Sequence, residues 1–184
     1  MKVKIRRPNK KDRKEIHQLF ETTIKHTLEL EGLVGEEGFV KELFNDQKNL
    51  IDIDFDTNGK EYYFLVAECE GKIIGTICHR PCSDIIVDCA DRDIKGIHEI
   101  GSVYILPNFQ GKGIAKLLLN AMYTTLIAKG FDEFWLDSGY NIAKKVWQNV
   151  LGKPTIIMKN YWGEGIDHHL WNRKLSDIAI EYKV

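Results

Sequence analysis

The chain is poor in the features that would place it outside ordinary globular proteins. It has only four prolines and four cysteines in 184 residues, which excludes a proline-rich linker and a disulfide-dense secreted scaffold. No apolar run approaches the ~20 residues that span a bilayer. Neither charge sign dominates: 26 Lys and Arg meet 27 Asp and Glu, for a net charge of −1. That balance gives no bulk pull toward nucleic acid or an anionic membrane, and neither is expected as a partner. The charged start Met1-Lys2-Val3-Lys4-Ile5-Arg6-Arg7 has no apolar stretch behind it, so no secretory signal is read there. A cytoplasmic location with reduced thiols is therefore expected. What remains is 43% hydrophobic and 29% charged residues, enough for one domain over residues 1–184 with a sizeable core.

Cys78-x3-Cys82 with His79 and His98 lacks the two tight ligand pairs of a structural zinc site. His168 and His169 are adjacent and face opposite ways on a strand. No metal is expected.

Val3–Arg6 alternates as a first strand, and Asn9 is placed to cap a helix. Ile16, Leu19, Phe20, Ile24 and Leu28 then recur at helical spacing. Gly32 and Gly35 break this helix, and Phe39, Val40, Leu43, Phe44 and Leu50 mark a second. Asn58-Gly59 is a turn. Glu61–Cys69 and Lys72–Cys78 form a hairpin around Glu70-Gly71. The pattern then fails from about residue 80 to 98, where a long insertion loop is expected, with Ile85-Ile86-Val87 as a short strand inside it. Glu99–Leu106 is a strand ended by Pro107. Ile114–Lys129 is a helix with Ala115, Leu118, Ala121, Met122 and Leu126 on its apolar stripe. Glu133–Asp137 is a strand and Ile142–Val150 a short helix. On that helix Val146 and Val150 are expected to share a face with Trp147, as packing residues. Thr155–Asn160 and His168–Lys174 close the chain as strands. Helices on both sides of one mixed sheet fit an α/β or α+β domain.

The chemistry concentrates where a strand runs through a glycine-rich loop into a long helix, at Asn108-Phe109-Gln110-Gly111-Lys112-Gly113. Glycines let backbone N–H groups approach a ligand. The first N–H groups of a helix lack internal partners and lie at its positive end, an arrangement suited to a diphosphate. Lys112 adds a charge. The loop is not G-x-x-x-x-G-K-[ST], because no Ser or Thr follows Gly113. It is not G-x-G-x-x-G either, because Lys116 occupies the third glycine position.

Gln110-Gly111-Lys112-Gly113-Ile114-Ala115 resembles the Q/R-x-x-G-x-G/A signature of the GNAT acetyltransferase superfamily. The element order resembles the family fold from residue 1 to about 175. The resemblance implies a single-domain GNAT-like fold with a mixed, mostly antiparallel sheet flanked by helices. It implies acetyl-CoA as co-substrate and direct transfer of acetyl to a primary amine. The pyrophosphate would sit on Gln110, Gly111, Lys112, Gly113, Ile114 and Ala115. Pantetheine would pair with Val103, Tyr104 and Ile105, and Asn141 would contact it.

A primary amine near pKa 10 is almost wholly protonated at pH 7, so a base is needed. Some family members carry a catalytic Glu at the place of Glu99, with Glu68 and the aspartates of the insertion as weaker rivals. Many supply a Tyr to protonate the thiolate where this chain has Trp147, and indole is not a practical acid. Tyr140 is then the nearest candidate, with Tyr104 and Tyr161 as alternatives. Lys144 and Lys145 could meet the 3′-phosphate of CoA, but a solvated helix face is the better reading of them. In the family fold Tyr161-Trp162-Gly163-Glu164-Gly165 borders the acceptor site, where Glu164 could hold an ammonium. Two other classes fit the same loop: a non-catalytic acyl-CoA binding or sensing domain, and a nucleotide-binding domain. The acceptor, a small-molecule or peptide amine, is not identified by sequence. The choice between monomer and homodimer also stays open.

Overall fold

A computed structural model describes residues 1–33 and 37–181. Gly35, one of the two expected helix breakers, lies outside the described residues. The chain runs β1 (Lys4–Arg6), α1 (Arg13–Leu30), α2 (Glu37–Thr57), β2 (Tyr63–Cys69), β3 (Lys72–Pro81), α3 (Asp84–Cys89) and β4 (His98–Ile105). It continues with α4 (Ile114–Ala128), β5 (Glu133–Ser138), α5 (Asn141–Leu151), β6 (Ile156–Met158) and β7 (His168–Lys174). The strands form one sheet in the order β1-β2-β3-β4-β5-β7-β6. Every neighbouring pair is antiparallel except β4 with β5.

The helices form where the apolar spacing places them. Asn9 caps the turn before α1, accepting from Lys11 N, while Asp12 reaches back to Asn9 N. Ile16, Leu19, Phe20, Ile24 and Leu28 are all buried, and with α2 they cover one sheet face at Phe64, Val66 and Cys78. The opposite face takes α4 and α5. Leu118, Met122 and Leu126 of α4 pack there on Leu65, Ala67 and Ile77. Each fully buried aliphatic side chain contributes about 1.5–3 kcal/mol. Glu70 and Gly71 both have positive φ, the geometry of a two-residue hairpin turn.

Three expectations are corrected. Strand β3 does not stop at Cys78 but continues to Pro81, pairing Arg80 with Glu99 and Pro81 with His98. Ile85-Ile86-Val87 belongs to helix α3 rather than to a strand. Val87 N and Ala90 N bond back to Ser83 O and Ile86 O. Only Ile86 of the three is fully buried, against Ile94, Trp135 and Leu170, and a helix turns one residue inward without needing a strand partner. On α5, Val146 and Val150 are exposed; the inward face carries Ala143, Trp147 and Leu151, at the four-residue spacing of one helical face.

Candidate active site

Strands β4 and β5 are hydrogen-bond neighbours only at their starts, His98 with Phe134 and Glu99 with Trp135. Beyond that point they part. The cause is visible in β4. Three steps of β4, Gly101 to Tyr104, oppose two steps of β3, Thr76 to Cys78. This is a β-bulge, which bends a strand and increases its twist. Ser102 takes the extra step with φ +50°. It is held there by Thr76 Oγ1 donating to Ser102 O at 2.9 Å and by its own hydroxyl donating to Gln47 Oε1 at 2.7 Å. Such non-glycine left-handed residues cost about 1–3 kcal/mol and persist where surrounding contacts fix them.

The parting strands open a cavity of about 600 Å³. Gly101–Ile105 form one wall, Leu136, Asp137 and α5 another, and α1 contributes Thr23, Ile24, Thr27 and Leu28. The α1–α2 connection also touches α5 directly: Glu31 Oε1 accepts from Ile142 N at 2.7 Å. Among the described residues, the β4 edge that faces the gap beyond Glu99 has no strand partner. Its backbone groups can therefore pair with an extended ligand carrying amides.

At the far end of β4 the chain turns through Pro107–Phe109 into the glycine loop. Gln110 Nε2 donates to Ile105 O at 3.0 Å and fixes the turn. Gly111 (φ +70°) and Gly113 (φ +82°) both occupy the left-handed region, and a Cβ at either would meet no protein atom within 4 Å. The space is open toward a ligand. Leu117 N bonds Gly113 O at 3.1 Å, which leaves the N–H groups of the first turn of α4 available. Their helix dipole favours an anion.

The sequence's candidates divide around this cavity. Val103, Tyr104, Ile105, Gln110, Gly111, Gly113, Ile114, Ala115 and Tyr140 line it; Lys112 and Asn141 lie outside its lining. The Lys112 ammonium sits 5.3 Å over the Phe109 ring, and Asn141 is exposed at the start of α5. Lys144 is not on a solvated face. It is buried and donates to Asp167 O at 2.7 Å, whereas Lys145 is exposed. Tyr104 packs edge-on against Phe20 at 5.3 Å. Burial raises the Tyr104 and Tyr140 hydroxyls above the usual phenol value; a second rise comes to Tyr104 from Tyr140, and to Tyr140 from Glu31.

Glu99 is buried, 1% exposed, and outside the cavity lining. Arg80 Nε donates to its Oε1 at 2.5 Å and Ser83 N to its Oε2 at 2.8 Å. Burial pushes its carboxyl up, Arg80 pulls it down, and Asp137 adds to the rise. The cavity-lining Gly101 lies beside the pair: a Cβ there would lie 3.8 Å from Glu99 Oε1 and 3.7 Å from Arg80 Nη2.

Three residues meet at the same place: Trp162 of the segment expected to border the acceptor site, His168, which the sequence offered only as an unsuitable metal ligand, and Asp137, which sequence reasoning did not single out. Asp137 lines the cavity where β4 and β5 part. Its Oδ2 lies 2.9 Å from His168 Nε2, and His168 Nδ1 lies 2.9 Å from Trp162 Nε1. A Cβ at Gly139 would stand 2.7 Å from Trp162 Nε1, so glycine there is what lets the indole close over His168.

Residues 26–152 match the family model described as the acetyltransferase (GNAT) family. The chain belongs to the GNAT acetyltransferase family. Solved structures agree on the fold. A GNAT-family protein from Desulfovibrio desulfuricans superposes with a TM-score of 0.71 at 15% identity, covering 95% of this chain and 99% of that one. The PaiA N-acetyltransferase from Thermoplasma acidophilum, solved with coenzyme A, gives 0.69 at 19% identity over 95% and 99%. The acetyltransferase YncA from Salmonella typhimurium, solved with acetyl-CoA, gives 0.66 at 19% identity over 98% and 99%. Among curated proteins, none matches the chain by sequence.

In this GNAT chain Trp147 is 8% exposed and joins the core cluster under α4 as well as the cavity wall. Trp147→Phe should therefore behave as a packing change. The expected cost is on the order of 1–3 kcal/mol in stability, with most activity retained. A general acid at this position would lose roughly 10²–10⁴-fold. Thermal melting and turnover on the same sample separate the two.

Proposed function

We propose that this GNAT protein transfers acetyl from acetyl-CoA to the nitrogen of a primary amine by direct attack. The observation that carries the reading is the continuous path from the glycine loop along the free β4 edge to the point where β4 and β5 part. The diphosphate takes the N–H groups between Gly111 and Ala115. The pantetheine amides pair with Val103, Tyr104 and Ile105. The four steps from Ile105 to Gly101, which include the bulge at Ser102, span at most roughly 13 Å, so a thioester anchored at the loop reaches toward Gly101. The coenzyme A and acetyl-CoA in two of the similar structures support the choice of cofactor. Lys112 and Asn141 meet the cofactor at its rim.

Tyr140 is the acid of this reading. Tyr140 lines the cavity, and burial raises its hydroxyl above the usual phenol value, which keeps it protonated. It donates to the sulfur as the C–S bond breaks. A carboxylate where β4 and β5 part takes the amine's proton. Glu99, the sequence's candidate, reaches the cavity only through a water beside Gly101, because both its oxygens are engaged. The acceptor is a small-molecule or peptide amine. The cysteines Cys69, Cys78, Cys82 and Cys89 are all free thiols, which suits work in the cytoplasm.

The test is thiol release from acetyl-CoA with spermidine, an alanine-terminated peptide, an N-α-blocked lysine and glucosamine. Thiol release above the amine-free rate with at least one of them is expected. CoA binding by calorimetry with no amine-dependent release would replace the enzyme with a non-catalytic acyl-CoA binding domain.

A further inference from the structure

Trp162, His168 and Asp137 form a directed chain that ends in the cavity. An indole N–H only donates, so Trp162 Nε1 donates to His168 Nδ1. Nδ1 is then the acceptor nitrogen of the ring, and the ring proton belongs on Nε2. From there it is donated to Asp137 Oδ2, 2.9 Å away. His168 is 4% exposed and cannot exchange this arrangement for water. The Asp137 side chain is 25% exposed, and its Oδ1 accepts no hydrogen bond from any described residue. One oxygen is thus fixed by the protein and the other is left to the cavity. Glu99 is the reverse case, with both oxygens bound and no exposure.

The sheet register sets where Asp137 points. Asp137 lies opposite Leu170 and two residues from Trp135, so all three share the face covered by α3. Arg80, Glu99 and Gly101 occupy the same face on the neighbouring strands. Asp137 therefore stands across the gap from Gly101, where the reading above brings the thioester. The titratable groups that face it are the neutral His168 imidazole, hydrogen-bonded to Oδ2, and Arg80, Glu99 and Cys82, whose own proton affinities respond to Asp137.

We propose, on the acetyltransferase reading, that Asp137 Oδ1 directly receives the proton of the acceptor ammonium, with His168 and Trp162 as positioning residues. The ammonium gives one proton to Asp137. The freed lone pair forms the C–N bond at the thioester carbon, and the C–S bond breaks with its electron pair going to sulfur. Tyr140 protonates that sulfur. The second proton of the nitrogen leaves through water and restores Tyr140. Acetyl-CoA and R-NH3⁺ become the amide, CoA-SH and one H⁺, which Asp137 returns to solvent.

The experiment is a pH–rate profile with whichever amine of the panel works, for wild type, Asp137→Asn, Glu99→Gln and Trp162→Phe, alongside CoA calorimetry. Asp137→Asn should leave CoA affinity within about twofold. Its kcat/KM at pH 7 should fall by about 10²–10³-fold, and the deficit should shrink toward pH 9–10, where the amine is neutral in solution. The Glu99→Gln deficit should be smaller. Trp162 is 55% exposed, so Trp162→Phe should fold whatever becomes of Asp137→Asn. It frees the His168 tautomer and should cost about tenfold, with the acid limb of the profile displaced.

Wild-type rate in Asp137→Asn at pH 7, a deficit that stays constant with pH, or a larger pH-rescued deficit in Glu99→Gln would each overturn the proposal while the acetyltransferase reading stands. An unmoved profile in Trp162→Phe would overturn the positioning chain. Absence of amine-dependent thiol release in wild type removes the reading itself and the proposal with it.

Discussion

Gly113→Asp should bind CoA about three decades more weakly than wild type while keeping its fold. The structure separates the two effects. A Cβ at Gly113 meets no protein atom within 4 Å, so a side chain starts into open space. The residue stands directly before α4 at φ +82°. Aspartate tolerates the left-handed region better than most residues and is a favoured residue at a helix N-terminus. The loss falls on the ligand. A carboxylate at the position proposed for the diphosphate would face a like charge near 4 Å. At an effective dielectric of ~20 this costs about 4 kcal/mol, or about 10³ in Kd. Gly113→Asn carries the same backbone demand and nearly the same volume without the charge, so it should lose far less. Salt sharpens the comparison, because screening should narrow the gap between the two variants. Calorimetry with CoA at two ionic strengths reads all of this. Equal affinities for wild type and Gly113→Asp would remove the loop from the cofactor site.

That prediction rests on the part of the protein that is most legible in its sequence. The glycine loop is contiguous: six residues, a preceding strand and a following helix carry all the information. The same holds for α1, α4 and the β2–β3 hairpin, where apolar periodicity and positive-φ turn residues act locally. What was not legible depends on register between distant strands. Asp137 and His168 are thirty-one residues apart and share no motif. They meet because β5 pairs with β7 so that Asp137 faces Leu170. Glu99 was legible as a strand-end carboxylate, but its environment was not. Ending β3 at Cys78 hid Arg80, which the β3–β4 register places directly opposite Glu99. The α3 helix was missed for a different reason. A run of three apolar residues fits a strand or a helix turn equally well, and the deciding fact is a pocket among Ile94, Trp135 and Leu170 that only the folded chain provides.

Tyr140→Phe should lower turnover by about 10²-fold with little change in CoA affinity. Two features of the site set the direction. Tyr140 precedes α5, whose second residue Ile142 is tied to Glu31 across the cavity, so the ring is held between the two walls. Removing a single hydroxyl oxygen leaves the packing of the ring against the α1 side intact. The loss should therefore appear in the step where charge develops on sulfur, at the lower end of general-acid effects. The pH dependence follows from the direction of the shift. Burial, followed by the charge of Glu31, raises the Tyr140 hydroxyl above its ordinary value of 10.0. The acid form then persists through the whole range in which the amine becomes neutral. Wild-type turnover should climb with pH and hold to about pH 10, falling only beyond it. Tyr140→Phe should lack that alkaline fall, because no group is left there to lose its proton. It should also differ from Asp137→Asn in what rescues it. Raising the pH supplies neutral amine and so repairs a missing base, but it cannot supply a proton to sulfur. A Tyr140→Phe deficit that shrinks toward pH 9 as the Asp137→Asn deficit does would place both residues on the same proton and take the acid role away from Tyr140.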